Sequence, residues 1–176
     1  DEDGAFYAKV TLDNLRRNAG GNELPDMVIE DWPDLDYRGF MLDISRNFTT
    51  KDNILKFIEL LSHYKVSVFH LHFGDDEGWR LEIGRFPELT TYGAHHAFPE
   101  KNAEGEYVET IGLMPSYNGS IDPEDMTSSA NGFLTREDYI EILKYAWERR
   151  IEVIPEFDTP GHSRAAIKAM EAYAAR

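Results

Sequence analysis

The sequence contains no cysteine among its 176 residues. This absence excludes disulfide bonds and every zinc or redox site that depends on a thiolate. The sequence also lacks an apolar run of the roughly 20 residues that a membrane-spanning helix needs. Its first residues, Asp-Glu-Asp-Gly at 1–4, have neither the basic nor the apolar region of a signal peptide. We therefore expect a folded domain without thiol chemistry and without a membrane partner.

Positive charge is scarce as well. The chain has 18 Lys and Arg against 33 Asp and Glu, which gives a formal net charge of -15. Nucleic acids and anionic membrane surfaces both require a basic protein surface, so we expect neither as a partner. Hydrophobic residues make up 41% of the chain, which is enough for a folded core. A neutral substrate such as a sugar is compatible with this charge.

Three predicted strands, each followed by a predicted helix, run along the chain. In the helices apolar residues recur every three to four positions, and Thr49 or Thr50 and then Thr135 are suited to cap the first two. This alternation implies parallel strands joined by crossovers, and the apolar character of strands one and three predicts burial on both faces. The strands are predicted at 39–44, 66–73 and 151–158, and the helices begin near residues 50, 135 and 163.

An open doubly wound sheet and a (β/α)8 barrel both satisfy this alternation. No Gly-x-Gly-x-x-Gly motif follows the first strand, so a dinucleotide-binding sheet loses its main support. Polar residues collect after the strands at 43–45, 72–76 and 156–162, and a barrel keeps its chemistry at these carboxyl ends. These observations favour the barrel for this α/β chain, whose three strand–helix units would then be about three of its eight.

Two regions do not follow the alternation. Residues 1–33 are predicted to lead in from a preceding domain, with a short helix at 6–12 and a short strand at 27–29, and residues 34–176 then form the barrel portion. The stretch 84–133 is long for a connection between a strand and a helix. It is either an active-site loop or a surface insertion, and we expect His95 and His96 within it to be solvated.

The end of the third strand carries two acids and a histidine. Because side chains alternate along a strand, Glu156 and Asp158 are predicted on the same face, and His162 follows across a tight turn. An Asp that accepts a hydrogen bond from a His fixes its tautomer and raises its basicity, as general acid–base chemistry requires. The structural alternative is that the acids only cap the next helix.

The end of the second strand combines histidines, acids and an aromatic ring. His70 and His72 share a face and form a candidate divalent-metal site, the alternative being a histidine bonded within a polar core. Asp75 and Asp76 would repel each other, so we expect one of them to pair with a cation or cap a turn. Trp79 offers a flat apolar face on which a sugar ring can pack.

An arginine immediately precedes the first strand. The planar fork of Arg38 suits vicinal hydroxyls or a carboxylate, and the alternative is an ion pair with Asp43 or another acid at the rim. Its place at the start of the strand is the end opposite to a barrel's active site.

Three long segments resemble glycoside hydrolase family 20, the β-N-acetylhexosaminidases. They are Tyr-Arg-Gly-Phe-Met-Leu-Asp-Ile-Ser-Arg-Asn-Phe at 37–48, the run from Phe to Ile at 69–83, and Ile-Pro-Glu-Phe-Asp-Thr-Pro-Gly-His at 154–162. The resemblance covers about residues 24–176, and residues 5–12 resemble the end of the family's preceding α/β domain. It implies a (β/α)8 barrel that removes terminal N-acetylglucosamine or N-acetylgalactosamine with retention. The acetamido oxygen of the substrate is the nucleophile and forms an oxazolinium intermediate, with neither metal nor organic cofactor.

The resemblance also implies roles and a setting. It favours a secreted or periplasmic protein whose partners are glycans that end in an N-acetylhexosamine. The family's general acid, a Glu in an adjacent Asp-Glu pair on the fourth strand, lies beyond this sequence, so we expect the chain alone to be inactive. We also expect self-association through an open sheet edge. Two alternatives stay open: a metal-dependent barrel hydrolase built on His70 and His72, and a non-catalytic sugar-binding protein.

The family motifs also imply roles for individual residues. Arg38 would bond the O3 and O4 hydroxyls of the sugar, with Asp75 in the same pocket, and Asp158 and His162 would form a hydrogen-bonded pair that tunes the catalytic acid. Supporting roles are implied for Glu156, Trp79, Arg80 and His72.

Overall fold

The computed structural model describes residues 1–20, 23–96, 101–106, 120 and 122–175. Within them, three parallel strands form one sheet in the order β1-β2-β3, so each strand pairs with its neighbour in sequence. The strands are β1 (Gly39–Asp43), β2 (Val68–Gly74) and β3 (Glu152–Phe157). They agree with the predicted strands to within two residues at each end.

Five helices accompany the sheet in the described part of the chain. One joins β1 to β2 and another joins β2 to β3, and these two pack against each other, so both crossovers lie on the same face of the sheet. Sequential strand order with helices on one face is the winding of a barrel, whereas strand order reverses in a doubly wound sheet. The helices are α1 (Glu2–Asn18), α2 (Lys51–His63), α3 (Glu88–Thr91), α4 (Arg136–Trp147) and α5 (Arg164–Ala174).

The two crossover helices begin differently. Thr135 caps α4: its side chain accepts from the Asp138 amide at 3.1 Å, and the Asp138 side chain accepts from the Thr135 amide at 3.1 Å. This reciprocal arrangement confirms the predicted start of α4. Thr50 occupies the corresponding place before α2 but makes no capping bond with its side chain.

Burial falls mainly on the central strand. In β2 every residue except His70 is buried, whereas β1 and β3 are largely exposed. The prediction that strands one and three are buried on both faces was therefore wrong. Among the described strands only β2 has a neighbour on each side, so the apolar Met41 of β1 stays 52% exposed. The core lies between the sheet and the crossover helices and includes Ile44, Ile54, Ile58, Phe69, Leu71, Phe73, Leu134 and Ile142.

The N-terminal region differs from its prediction. The helix there is not confined to residues 6–12 but runs over the whole of α1, because Asp1 caps it through the Gly4 amide at 2.7 Å and Arg16 and Arg17 stand in its last turn. Residues 27–29 form no strand. Tyr7 of α1 donates to the Arg150 carbonyl at 3.4 Å, which places α1 beside the amino-terminal ends of the strands.

The described residues of the stretch 84–133 include a short helix and several turns. Residues 97–100, 107–119 and 121 lie outside the described part, and α3 lies within the rest. The expectation of solvated histidines was wrong: His96 is buried, and His95 is half-buried with its Nδ1 3.2 Å from Asn131 Oδ1. None of the described helices combines the length and apolar character needed to cross a membrane.

Candidate active site

The register of the sheet places three polar side chains in a row. His72 of β2 lies between Asp43 of β1 and Glu156 of β3 in the register, near the carboxyl ends of the three strands. Parallel strands end at one edge of a sheet, so residues distant in sequence meet there. Charged groups from the loops that follow each strand complete the cluster.

Asp75 is the centre of this cluster. Its side chain is 1% exposed, and its Oδ2 lies 2.6 Å from Arg46 Nη2 and 2.8 Å from His72 Nε2. Its Oδ1 lies 3.0 Å from His162 Nδ1 and accepts from the Asp76 amide at 2.6 Å. Burial alone raises the pKa of Asp75, but these hydrogen bonds and the charge of Arg46 outweigh burial and lower the pKa below its ordinary value. Asp75 is therefore a fixed buried anion.

Arg46 supplies the permanent positive charge. Its Nη1 bonds Asp43 Oδ2 at 2.5 Å, while Glu77 Oε2 lies 3.7 Å from its Nε. Sequence reasoning gave Arg46 no role. A signal was available, because Asp43 and Arg46 stand three residues apart directly after β1. Asp43 Oδ1 accepts from the amides of both Ser45 and Arg46, which turns the chain so that the arginine points back into the cluster.

The adjacent acids divide their tasks. Asp75 pairs with a cation, and Asp76 Oδ1 accepts from the Arg164 amide at 3.1 Å at the start of α5. A carboxylate at the first turn of a helix satisfies an unpaired amide and suits the helix dipole. The prediction that one of the two pairs with a cation or caps a turn is confirmed by Asp75, which pairs with Arg46. Asp76 caps the start of α5.

His162 has a different partner from the predicted one. Its Nδ1 lies 3.0 Å from Asp75 Oδ1 and 3.2 Å from Arg46 Nη2, and within the described residues its ring makes no hydrogen bond to Asp158. The predicted pairing of His162 with Asp158 is therefore not found. The backbone of His162 is left-handed with φ of 53°, and the turn carries the ring across to the end of β2 rather than back along β3. Its side chain is 51% exposed, so an Asp–His pair reaches the surface here.

Glu156 joins the two histidines of β2. Its Oε2 lies 2.7 Å from His72 Nδ1 and 3.0 Å from His70 Nε2. His70 and His72 therefore face one carboxylate and not a shared vacant position. A metal ion needs the lone pair of a ring nitrogen, and both nitrogens of His72 already face carboxylate oxygens. The predicted pair of histidine ligands does not fit a metal in this arrangement.

Trp79 has one face covered by protein. Its ring stacks on Phe157 with centroids 5.1 Å apart and planes at 22°, and its Nε1 donates to the Leu81 carbonyl at 2.5 Å. The flat surface offered to a sugar in the sequence prediction is therefore partly used to close the space between β2 and β3.

Arg80 is wholly buried and ties the long loop to the strand ends. Its guanidinium donates to the carbonyls of Ser45, Ala94, Ala130 and Gly132 at 2.7 to 3.2 Å. Burial lowers the pKa of Arg80 to about 9, so the group stays charged at neutral pH. These contacts hold the long loop against the edge of the charged cluster, so Arg80 supports the site by fixing the position of the loop.

Arg38 stands apart from all these residues. It precedes β1, and its Nε and Nη1 donate to the carbonyls of Lys65 and Leu35 at 2.7 and 2.8 Å. The whole length of β1 separates it from Asp43. The structure does not bring Arg38 to the cluster, and its contact with substrate hydroxyls stays a prediction.

The catalytic-domain model of glycosyl hydrolase family 20 matches residues 35–176, which confirms the resemblance of the three segments. Among curated proteins, the chain is 44% identical over 172 residues to the N,N'-diacetylchitobiase of Vibrio harveyi, a match that covers 98% of this chain and 18% of the relative. It is 45% identical over 168 residues to β-hexosaminidase B of Pseudoalteromonas piscicida, covering 96% and 20% respectively.

Solved structures agree with this relationship. The exo β-N-acetylglucosaminidase of Vibrio harveyi, solved with N-acetylglucosamine, matches with a TM-score of 0.61 at 36% identity over 81% of this chain and 20% of that one. The β-N-acetylhexosaminidase of Bacteroides fragilis matches with a TM-score of 0.60 at 34% identity, covering 81% and 24%. The three βα units are thus part of a (β/α)8 barrel, and the chain spans about a fifth of the length of these relatives.

Proposed function

Since the chain belongs to glycoside hydrolase family 20, we propose that it is part of an exo-acting β-N-acetylhexosaminidase. The enzyme removes terminal N-acetylglucosamine or N-acetylgalactosamine from glycans with retention, and the substrate's own acetamido oxygen serves as nucleophile. The named activities of the relatives from Vibrio and Pseudoalteromonas support this substrate class.

One observation carries the proposal. A buried Asp75 holds the ring of the half-exposed His162 at 3.0 Å, beside Arg46, at the carboxyl ends of three parallel strands. A carboxylate–imidazole pair can fix a tautomer and adjust the proton affinity of a neighbouring acid, which is the support that a protonating group needs. We place Asp75 and His162 in this tuning role, with Arg46 balancing the charge.

The remaining roles rest on motif position. We propose that Asp158, at the end of β3 and without a side-chain hydrogen bond among the described residues, is free to face the substrate or the missing acid. Glu156, His72, Trp79 and Arg80 support the site through the contacts given above. The protonating Glu and its neighbouring Asp come from a part of the barrel other than these three strands.

The test is hydrolysis of an aryl N-acetyl-β-glucosaminide by the full-length protein, with and without EDTA, beside the 176-residue chain. We expect EDTA-resistant hydrolysis by the full-length protein and none by the chain, because loss of a general acid alone removes a factor on the order of 10²–10⁴ in rate. EDTA-sensitive hydrolysis would favour a metal-dependent enzyme, and an inactive full-length protein would favour a sugar-binding one.

A matched pair of variants tests the carrying observation. Asp75→Asn in the full-length protein removes the anion that holds His162, and we expect kcat to fall by about 10²-fold or more. Asp26→Asn, at an exposed position, should leave kcat unchanged. Equal activity of the two variants would contradict the role given to Asp75.

A further inference from the structure

His72 lies between two carboxylates and touches both. Its Nδ1 is 2.7 Å from Glu156 Oε2, and its Nε2 is 2.8 Å from Asp75 Oδ2. The side chain is 6% exposed, and at these distances water does not separate it from either partner. Both distances are those of charge-assisted hydrogen bonds.

A neutral imidazole cannot make both contacts. It has one N–H and one lone pair, and a lone pair directed at a carboxylate oxygen at this distance is repelled. Either His72 carries two protons, or one carboxylate carries a proton and donates it. Asp75 is a poor candidate to hold that proton, because Arg46, His162 and the Asp76 amide also converge on its oxygens.

We propose that His72 is a positioning residue that works as a doubly protonated imidazolium, donating one hydrogen bond to Asp75 and one to Glu156. It bridges the ends of β2 and β3 through charge, and its bond to Asp75 Oδ2 leaves Oδ1 directed at His162. His162 then uses Nδ1 for Asp75 and keeps Nε2 for the substrate side of the site. This consequence for the reaction rests on the proposed function, whereas the proton count of His72 does not.

The charges that surround the ring favour this state. On β1, Asp43 offers a carboxylate oxygen near the ring, and on the β3 side Glu156 and Asp158 do the same. Directly after its own strand Asp75 faces the ring, and His70 of the same strand contacts Glu156 as well. The cations that reach this group of acids are Arg46, which bonds Asp43 and Asp75, and the buried Arg80 further back. One arginine bonded to several carboxylates leaves excess negative charge, which a protonated His72 reduces.

The balance of burial and charge points the same way. Burial by itself lowers the pKa of His72, but the hydrogen bonds to Glu156 and Asp75 and the charge of Asp43 raise it above the ordinary value. The ring thus keeps its second proton at a pH at which an ordinary histidine has lost it.

The test is nitrogen NMR of the histidine rings in the full-length protein, labelled at histidine, across pH 5 to 9. We expect His72 to show two N–H groups at pH 7. In Glu156→Gln one carboxylate is replaced by a neutral amide of the same shape, and the midpoint of His72 should fall by about 1–3 pH units, the usual effect of one close opposite charge. The ring signals of His63, which lies on α2 with its Nε2 3.6 Å from Glu59 Oε1, serve as the internal reference and should be the same in both proteins.

Three results would overturn the proposal: a single N–H on His72 at pH 7, a protonated Glu156 carboxyl in the carbon spectrum, or an unchanged midpoint in Glu156→Gln. If Glu156→Gln does not fold, the first two readings in the unmodified protein still decide. None of these readings depends on turnover. An inactive full-length protein would contradict the proposed function, whereas the NMR data alone decide the protonation state of His72.

Discussion

At the scale of single residues, two histidines of this chain have opposite responses to pH. The pKa of His72 is raised by its carboxylate partners, so its protonated form contributes stability below about pH 6.5, and the contribution is lost as pH rises through the folded pKa. Burial and the charge of Arg80 lower the pKa of His95, with Asn131 opposing them. Its neutral form therefore contributes stability above about pH 6.5, which is lost as pH falls through the folded pKa.

Glutamine variants of these two residues should separate the effects. We expect His72→Gln to lower the free energy of unfolding by about 1–3 kcal/mol at pH 5.5, because a buried carboxylate loses its donor, and by less at pH 8.5. His95→Gln should show the reverse order, costing more at pH 8.5 than at pH 5.5. Urea denaturation of both variants and of the unmodified chain at the two pH values measures this. A loss that changes with pH in the same direction for both variants would contradict the assignment.

Residue identities at the site were predictable from sequence only where a motif or a repulsion made them stand out. Asp75 and Asp76 could not both be buried and unpaired, so their adjacency predicted that one of them pairs with a cation or caps a turn. The partner of His162 did not follow, because strand periodicity says nothing about where a turn sends the next ring. The spacing of Asp43 and Arg46 offered a signal for their ion pair, but the contacts of Arg46 with Asp75 and Glu77 come from the segment after β2, which spacing along β1 does not reveal.

At the scale of elements, the caps of the two crossover helices form a natural comparison. Thr135 and Thr50 both precede their helices with an extended backbone, but only Thr135 makes the capping bond. We expect Thr135→Ala to lower the free energy of unfolding by about 1 kcal/mol, the usual value of a lost threonine cap. Thr50→Ala, the matched control, should cost clearly less. Thermal or urea unfolding measures both, and equal losses would mean that the capping box does not stabilise α4.

Strands and crossover helices were found from sequence because their periodicity is strong and their ends carry Thr, Gly or Pro. The burial of β1 and β3 was mispredicted for a different reason. The apolar residues of a strand indicate that the strand is buried in the complete sheet. Their exposure in this structure depends on which neighbouring strands and helices are present. The length of α1 was underestimated because its polar first turn lacks the periodic apolar residues that indicate a helix, although Asp1 is a suitable cap.

At the scale of the whole molecule, the sheet has two unpaired outer strands in the described part of the chain. Phe40 and Met41 of β1 and Phe157 of β3 are each between about 44% and 52% exposed. Strand edges with apolar side chains pair readily with other chains. We therefore expect the 176-residue chain to self-associate as concentration rises, despite its net charge of -15.

Light scattering over a concentration series measures this association. Met41→Lys places a charge on the outer strand and should shift the chain toward monomer. Leu60→Lys adds the same charge at a comparably exposed position on α2, away from the sheet edge, and should change the association little. A monomeric unmodified chain, or equal effects of the two lysines, would argue against edge pairing.

The buried guanidinium of Arg80 has a consequence for local opening. Its hydrogen bonds gather carbonyls from the end of β1 and from both ends of the long loop around one charge. Lifting either loop end away removes carbonyl acceptors from a buried cation that water cannot reach, so partial release costs nearly as much as full release. The base of this loop should thus exchange its amide hydrogens in the same cooperative unit as the strand ends. It would stay fixed beside the charged cluster instead of opening and closing over it.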